Sequence, residues 1–136
     1  MTNRTTPGRV NQVARQRYLT DGVGSASAER LVILLFERLL RDLDEAQAAL
    51  LIGERDRAHE RLLNGQDILT ELDIALDVDQ WEPAGQLRAI YRYSADLLVR
   101  ANVRRDVEAI DEARRVLTPL AETWRSAYQQ ALGVPV

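Results

Sequence analysis

Apolar residues recur every three to four positions in four successive stretches between Ala28 and Ala131, and only short breaks part them. That spacing is the period of an amphipathic helix, whereas a half-buried strand would alternate with period two. Four apolar helix stripes must therefore be buried at once, and helix-on-helix packing does this. Leu, Ala, Arg and Glu, all strong helix formers, supply 65 of the 136 residues, against seven Gly and four Pro. The pattern predicts one all-α domain, an antiparallel up-and-down four-helix bundle over residues 25–131. A flexible N-terminal segment, 1–24, precedes it, and a short tail, 132–136, follows.

Local signals place the breaks. Ser27 offers a hydroxyl to cap a first helix, Ala28 to Leu51, and Gly53 ends it. Asp56 is suited to cap a second helix, Arg57 to Leu76. The stretch 77–82 is a loop. Pro83 fits the first turn of a third helix, which runs to about Ala101. Asp106 caps the fourth, Val107 to Ala131. On helical wheels, Leu62, Gly65, Ile68, Leu69 and Leu72 share a face of the second helix. Leu87, Ile90, Tyr91, Ser94, Leu97 and Leu98 share one on the third, and Ile110, Ala113, Leu117, Leu120 and Trp124 one on the fourth. Gly65 on a core face lets a neighbouring helix approach. Pro119 falls on a polar face and is expected to bend the fourth helix. A buried Tyr91 needs a partner for its hydroxyl, and Asn102 and Asp106 are the first candidates.

The first helix carries more apolar surface than a single core face uses. Val32, Leu35, Leu39, Leu43, Ala46 and Leu50 form its stripe, which continues through Phe36 and Leu40 to Ile33 and Leu51. The arc is about 160° wide, against the ~100° that one core face requires. Leu63 and Ile74 form a separate apolar pair on the second helix, opposite its core face. Such surplus fits a partner-binding surface. It equally fits a central, most buried helix, or one covered by the N-terminal segment.

Chemistry is sparse. There is no cysteine, and the one histidine, His59, lies off the core face without a companion ligand, so thiolate metal sites, Cys nucleophiles and paired-histidine metal sites find no residues. Asp42, Asp44 and Glu45 read as a solvated charged face of the first helix. Trp81 reads as a lid over one end of the bundle. No phosphate-cradling glycine loop is present. Residues 25–136 hold 14 Arg and 20 acids, a poor surface for nucleic acid. No apolar run reaches the ~18–20 residues that span a bilayer, and the opening residues do not form a secretory signal. These features predict a cytosolic, non-enzymatic protein with no cofactor, no metal, no nucleic-acid partner and no membrane insertion.

The stretch SASAERLVILLFERLLRDL resembles the opening of the first long helix in the flagellar secretion chaperone FliS family, through Ala26, Ser27, Leu31, Leu35 and Phe36. Further on, Ile90-Tyr91-Arg92-Tyr93, Leu97-Leu98, Ala101-Asn102 and Asp106 follow the family's order, with Trp124 near the end and Tyr18 upstream. The resemblance covers about residues 18–128. Ala28 stands where the family has Pro, and WEPAG stands where it has a Gly-Gly. The resemblance implies a cytoplasmic chaperone that binds the disordered C-terminal segment of flagellin. It would prevent premature polymerisation and deliver flagellin to the type III export gate. The competing expectation is a helical scaffold that self-associates, as a homodimer for instance, or binds a coiled-coil partner.

On these grounds the candidate flagellin contacts are Tyr18, Val32, Ile33, Phe36, Leu40, Leu63, Ile74 and Tyr93. Leu35, Leu39, Leu72, Tyr91, Leu97, Leu117 and Trp124 are assigned to the core. Residues 9–19 form a weakly amphipathic, basic stretch. Either Val10, Val13 and Tyr18 dock over part of the partner groove, or the stretch is a flexible tail anchored only at Tyr18.

Overall fold

The computed structural model describes residues 25–76 and 83–133. The expectations for segment 9–19, Tyr18 and Trp81 therefore lie outside the described residues. Four helices follow in order: α1 Ser25–Leu51, α2 Arg55–Ile74, α3 Ala84–Arg104 and α4 Val107–Leu132.

α1 begins ahead of Ser27, so Ser27 is a helical residue and not the cap expected from the sequence. Gly53 reverses the chain after α1 with φ +81°, a left-handed conformation that favours glycine. The cap position of α2 is Glu54 rather than Asp56, and no side chain bonds there; Asp56 instead places a negative charge in the first turn. Pro83 sits at the cap of α3, one position earlier than expected. α3 runs on to Arg104 and stops at Arg105, whose φ is +54°. Asp106 caps α4 as its position suggests: its Oδ1 accepts from the amides of Glu108 at 3.0 Å and Ala109 at 3.3 Å.

The helices form a ring in which α1 packs on α2, α2 on α3, α3 on α4 and α4 on α1. Cross-helix pairs fix the directions. Asp42 meets Asn64 and Glu45 meets Arg61, so α1 and α2 are antiparallel. Asp73 with Arg88, and His59 with Asn102, do the same for α2 and α3. Glu37 with Arg125, and Gln47 with Asp111, close the ring between α1 and α4. The core is a continuous cluster that includes Phe36, Leu39, Leu43, Leu62, Leu69, Leu72, Tyr91, Leu98, Ile110 and Leu117. Gly65 is buried on the face expected of it. A Cβ there would lie 3.0 Å from Leu98 Cδ1 and 3.3 Å from Leu39 Cδ1, so the glycine lets both leucines close over α2. Pro119 lies exposed inside α4.

Candidate partner-binding site

Burial on α1 corrects the expected partner surface. Phe36 is 1% exposed and Ile33 8%, so neither presents a surface to a partner in this bundle. Phe36 belongs to the core, its ring 6.2 Å from that of Tyr91 at an interplanar angle of 53°. Val32 and Leu40 are half-buried and packed against the core, as are Leu35 and Trp124. The wide arc has a physical cause: it serves two interfaces. One flank of α1, with Asp42 and Glu45, faces α2; the other, with Glu37, Asp44 and Gln47, faces α4.

Asp42 is a second correction. It is not solvated but 1% exposed. Its Oδ2 accepts from Asn64 Nδ2 at 2.6 Å, and its Oδ1 has no hydrogen-bond partner. Arg38 and Arg61 stand 3.6 and 3.7 Å from Oδ1. Burial pushes the carboxyl above its ordinary range, against the opposing pull of Asn64 and the two guanidinium groups.

Among the candidates on the other helices, Leu63, Ile74 and Tyr93 are exposed. The Tyr93 hydroxyl donates to Glu112 Oε2 at 3.0 Å across the α3–α4 seam. Farther along that seam lies an apolar groove that wheel analysis did not single out. Pro83, Gln86, Leu87 and Ile90 line one side, and Leu120, Thr123, Trp124 and Ala127 the other, around a cavity of about 390 Å³. Sequence reasoning placed Leu87, Ile90, Leu120 and Trp124 on core arcs. They are only half-buried, because toward the start of α3 and the end of α4 the two helices leave a furrow between them.

The Tyr91 partner also differs from expectation. Asn102 is engaged by His59, and Asp106 by the α4 amides. Burial pushes the Tyr91 phenol up to about 12, with Trp124 pulling it the other way. Among the described residues no group of His, Asp and Glu is placed to hold a metal. No helix there is long and apolar enough to cross a membrane.

An all-helical bundle with a filled core and an apolar furrow is the geometry on which the likeness to known proteins bears. The model of the family "Flagellar protein FliS" matches residues 10–131. The chain belongs to the FliS family. It is 32% identical to the flagellar secretion chaperone FliS of Salmonella typhimurium over 80% of this chain and 82% of that one. The corresponding protein of Escherichia coli is 28% identical, over 85% and 87% of the two chains. That of Bacillus subtilis is 27% identical, over 82% and 84%. FliS proteins are flagellar export chaperones, which agrees with a site made of apolar surface rather than reactive groups.

Proposed function

We propose that this FliS chain acts in the cytoplasm by holding the disordered C-terminal segment of flagellin, with the α3–α4 groove as its principal contact. The observation that carries this reading is the groove itself: Leu87, Ile90, Leu120, Trp124 and Ala127 form an open apolar furrow on a bundle whose core is already filled. Amphipathic segments recognise such furrows by laying an apolar face into them. Tyr93 extends the seam, and Leu63 and Ile74 on α2 offer apolar contact to a segment that continues round α3. Val32 and Leu40, half-buried on α1, contribute only where their edges reach the surface.

Covering the flagellin segment would keep it from polymerising before export, and the complex would then be passed to a component of the export gate. The segment orders as it binds, so part of the contact free energy goes into that ordering and affinity stays moderate for the area buried. Release then requires no nucleotide. Adding a peptide of flagellin's C-terminal segment to the chaperone should raise the mean-residue helical circular dichroism above the sum of the separate spectra, at one-to-one stoichiometry. A spectrum equal to the sum across a full titration would count against the reading.

Self-association is the competing use of exposed apolar surface. Leu51, Ile52 and Val103, 70%, 68% and 76% exposed, lie at the end of the bundle where α1 and α3 finish. Sedimentation of the chaperone alone separates the two. A mass that rises with its own concentration, and stays insensitive to the peptide, favours self-association.

A further inference from the structure

We propose that Asn64-Gly65 is a modification site: a deamidation site that the folded bundle holds shut, and whose product loosens α1 from α2. Two independent demands of the fold put these residues side by side. Asp42 is 1% exposed and needs a donor, and Asn64 Nδ2 supplies it at 2.6 Å. Position 65 must lack a side chain, since a Cβ there would lie 3.0 Å from Leu98 Cδ1 and 3.3 Å from Leu39 Cδ1. Asn64 is thereby the one asparagine of the chain's four that precedes a glycine. A glycine amide is the least hindered nucleophile a chain offers to the side-chain carbonyl before it, because no Cβ blocks the approach.

The reaction needs only water. The Gly65 nitrogen gives its proton to solvent base and attacks Asn64 Cγ. The new N–C bond closes a five-membered succinimide, the Cγ–Nδ2 bond breaks, and ammonia leaves. Water then opens either carbonyl of the ring, giving aspartate or isoaspartate at position 64. Within α2 both reactants are held apart. The Gly65 amide points along the helix axis toward the carbonyl one turn back, and the Asn64 side chain is pinned to Asp42. Attack therefore waits for α2 to open locally.

Either product harms the α1–α2 contact. Aspartate places a second carboxylate where a donor stood, 2.6 Å from Asp42 Oδ2, and two carboxylates so close do not both ionise. Arg38 and Arg61, 3.6 and 3.7 Å from Asp42 Oδ1, offset little of this, because Arg61 is shared with Glu45 at 3.0 Å. Isoaspartate lengthens the backbone by one carbon beside the contact of Gly65 with Leu39 and Leu98. The α1–α2 contact lies across the ring from the α3–α4 seam, so the damage falls on the carrier and not on the groove. The modification marks chains whose bundle has opened.

The test incubates the full chain at mildly alkaline pH, folded in buffer and unfolded in guanidinium chloride, and maps both by peptide mass spectrometry. Asn64 should convert in denaturant, and about 100-fold or more slowly in the folded chain, because only the open fraction reacts. Asn102, which precedes Val, is the control within the same digest. No conversion at Asn64 in denaturant, or equal rates in both states, would overturn the proposal. The product is tested through Asn64→Asp, which should lower the melting midpoint by about 5–15 °C. Asp42→Asn combined with Asn64→Asp exchanges carboxylate and amide and should recover most of that loss. This comparison decides even where the single variant stays unfolded. Asn64→Asp melting like wild type, or a double variant no more stable than the single one, would overturn the loosening of α1 from α2.

Discussion

Asp42 holds a carboxylate between α1 and α2 with one direct hydrogen bond, from Asn64, and two arginines beyond hydrogen-bonding distance. Its pKa is raised by burial, so the folded protein binds this proton more tightly than the unfolded chain does. The stabilising contribution of the protonated group is complete below the ordinary value of 3.8 and is lost as pH rises through the raised folded value. Asp42→Asn removes that dependence and still offers an oxygen to Asn64. In urea unfolding, wild type should gain on Asp42→Asn as pH falls from neutral toward 3.8. A gap that moves the other way would show that the two arginines outweigh the burial. Asp111 and Glu112 have lowered values, set first by Gln47 and Arg115 respectively, and lose their contributions on acidification. They are present in both proteins and cancel. Phe36 gives a second test at this scale. As a core ring it should cost about 3–5 kcal/mol on truncation to Ala, measured by chemical denaturation. A loss below about 1 kcal/mol would return Phe36 to the surface role expected from the sequence.

At the scale of the helices, the cap of α4 is the clearest local device. Asp106→Ala removes the acceptor for two first-turn amides and should cost about 1 kcal/mol, with native-state hydrogen exchange quickening first at Glu108 and Ala109. Unchanged exchange there would mean that the amides have other partners. This cap, the order of the helices and the core positions Leu39, Leu72, Leu97 and Leu117 were legible because each depends on residues near one another in the chain or on a simple period. The start of α1 and the cap of α2 were less so: Ser27 and Asp56 are good cap residues, but each helix begins before them. Periodicity also mislaid Ile33, Phe36 and Asp42. A wheel gives the direction of one apolar face, while burial on α1 follows from two flanking helices whose positions a wheel does not contain. The groove was hidden for the converse reason. Leu87, Ile90 and Trp124 carry the pattern of core residues, and only the spacing of α3 from α4 leaves them part-open.

For the molecule as a whole, the family places the chain among flagellar export chaperones, and the fold explains how a helical bundle with an open apolar furrow does such work. The core is closed by its own four helices, so apolar surface left on the α3–α4 seam is available to a client without unfolding the carrier. Client affinity and carrier stability are then separable properties. Core changes such as Leu39→Ala should cost about 2–5 kcal/mol of stability, whereas groove-rim changes should leave melting unaltered and act on binding. The most direct measurement is calorimetric titration of the flagellin C-terminal peptide into wild type and Ala127→Arg, with thermal unfolding of both recorded beside it. Equal melting midpoints with affinity lowered about tenfold or more is the expected result, since one long charged side chain would stand at the rim of an apolar contact. Equal affinities, with the same folded stability, would contradict the groove as the place where flagellin is held.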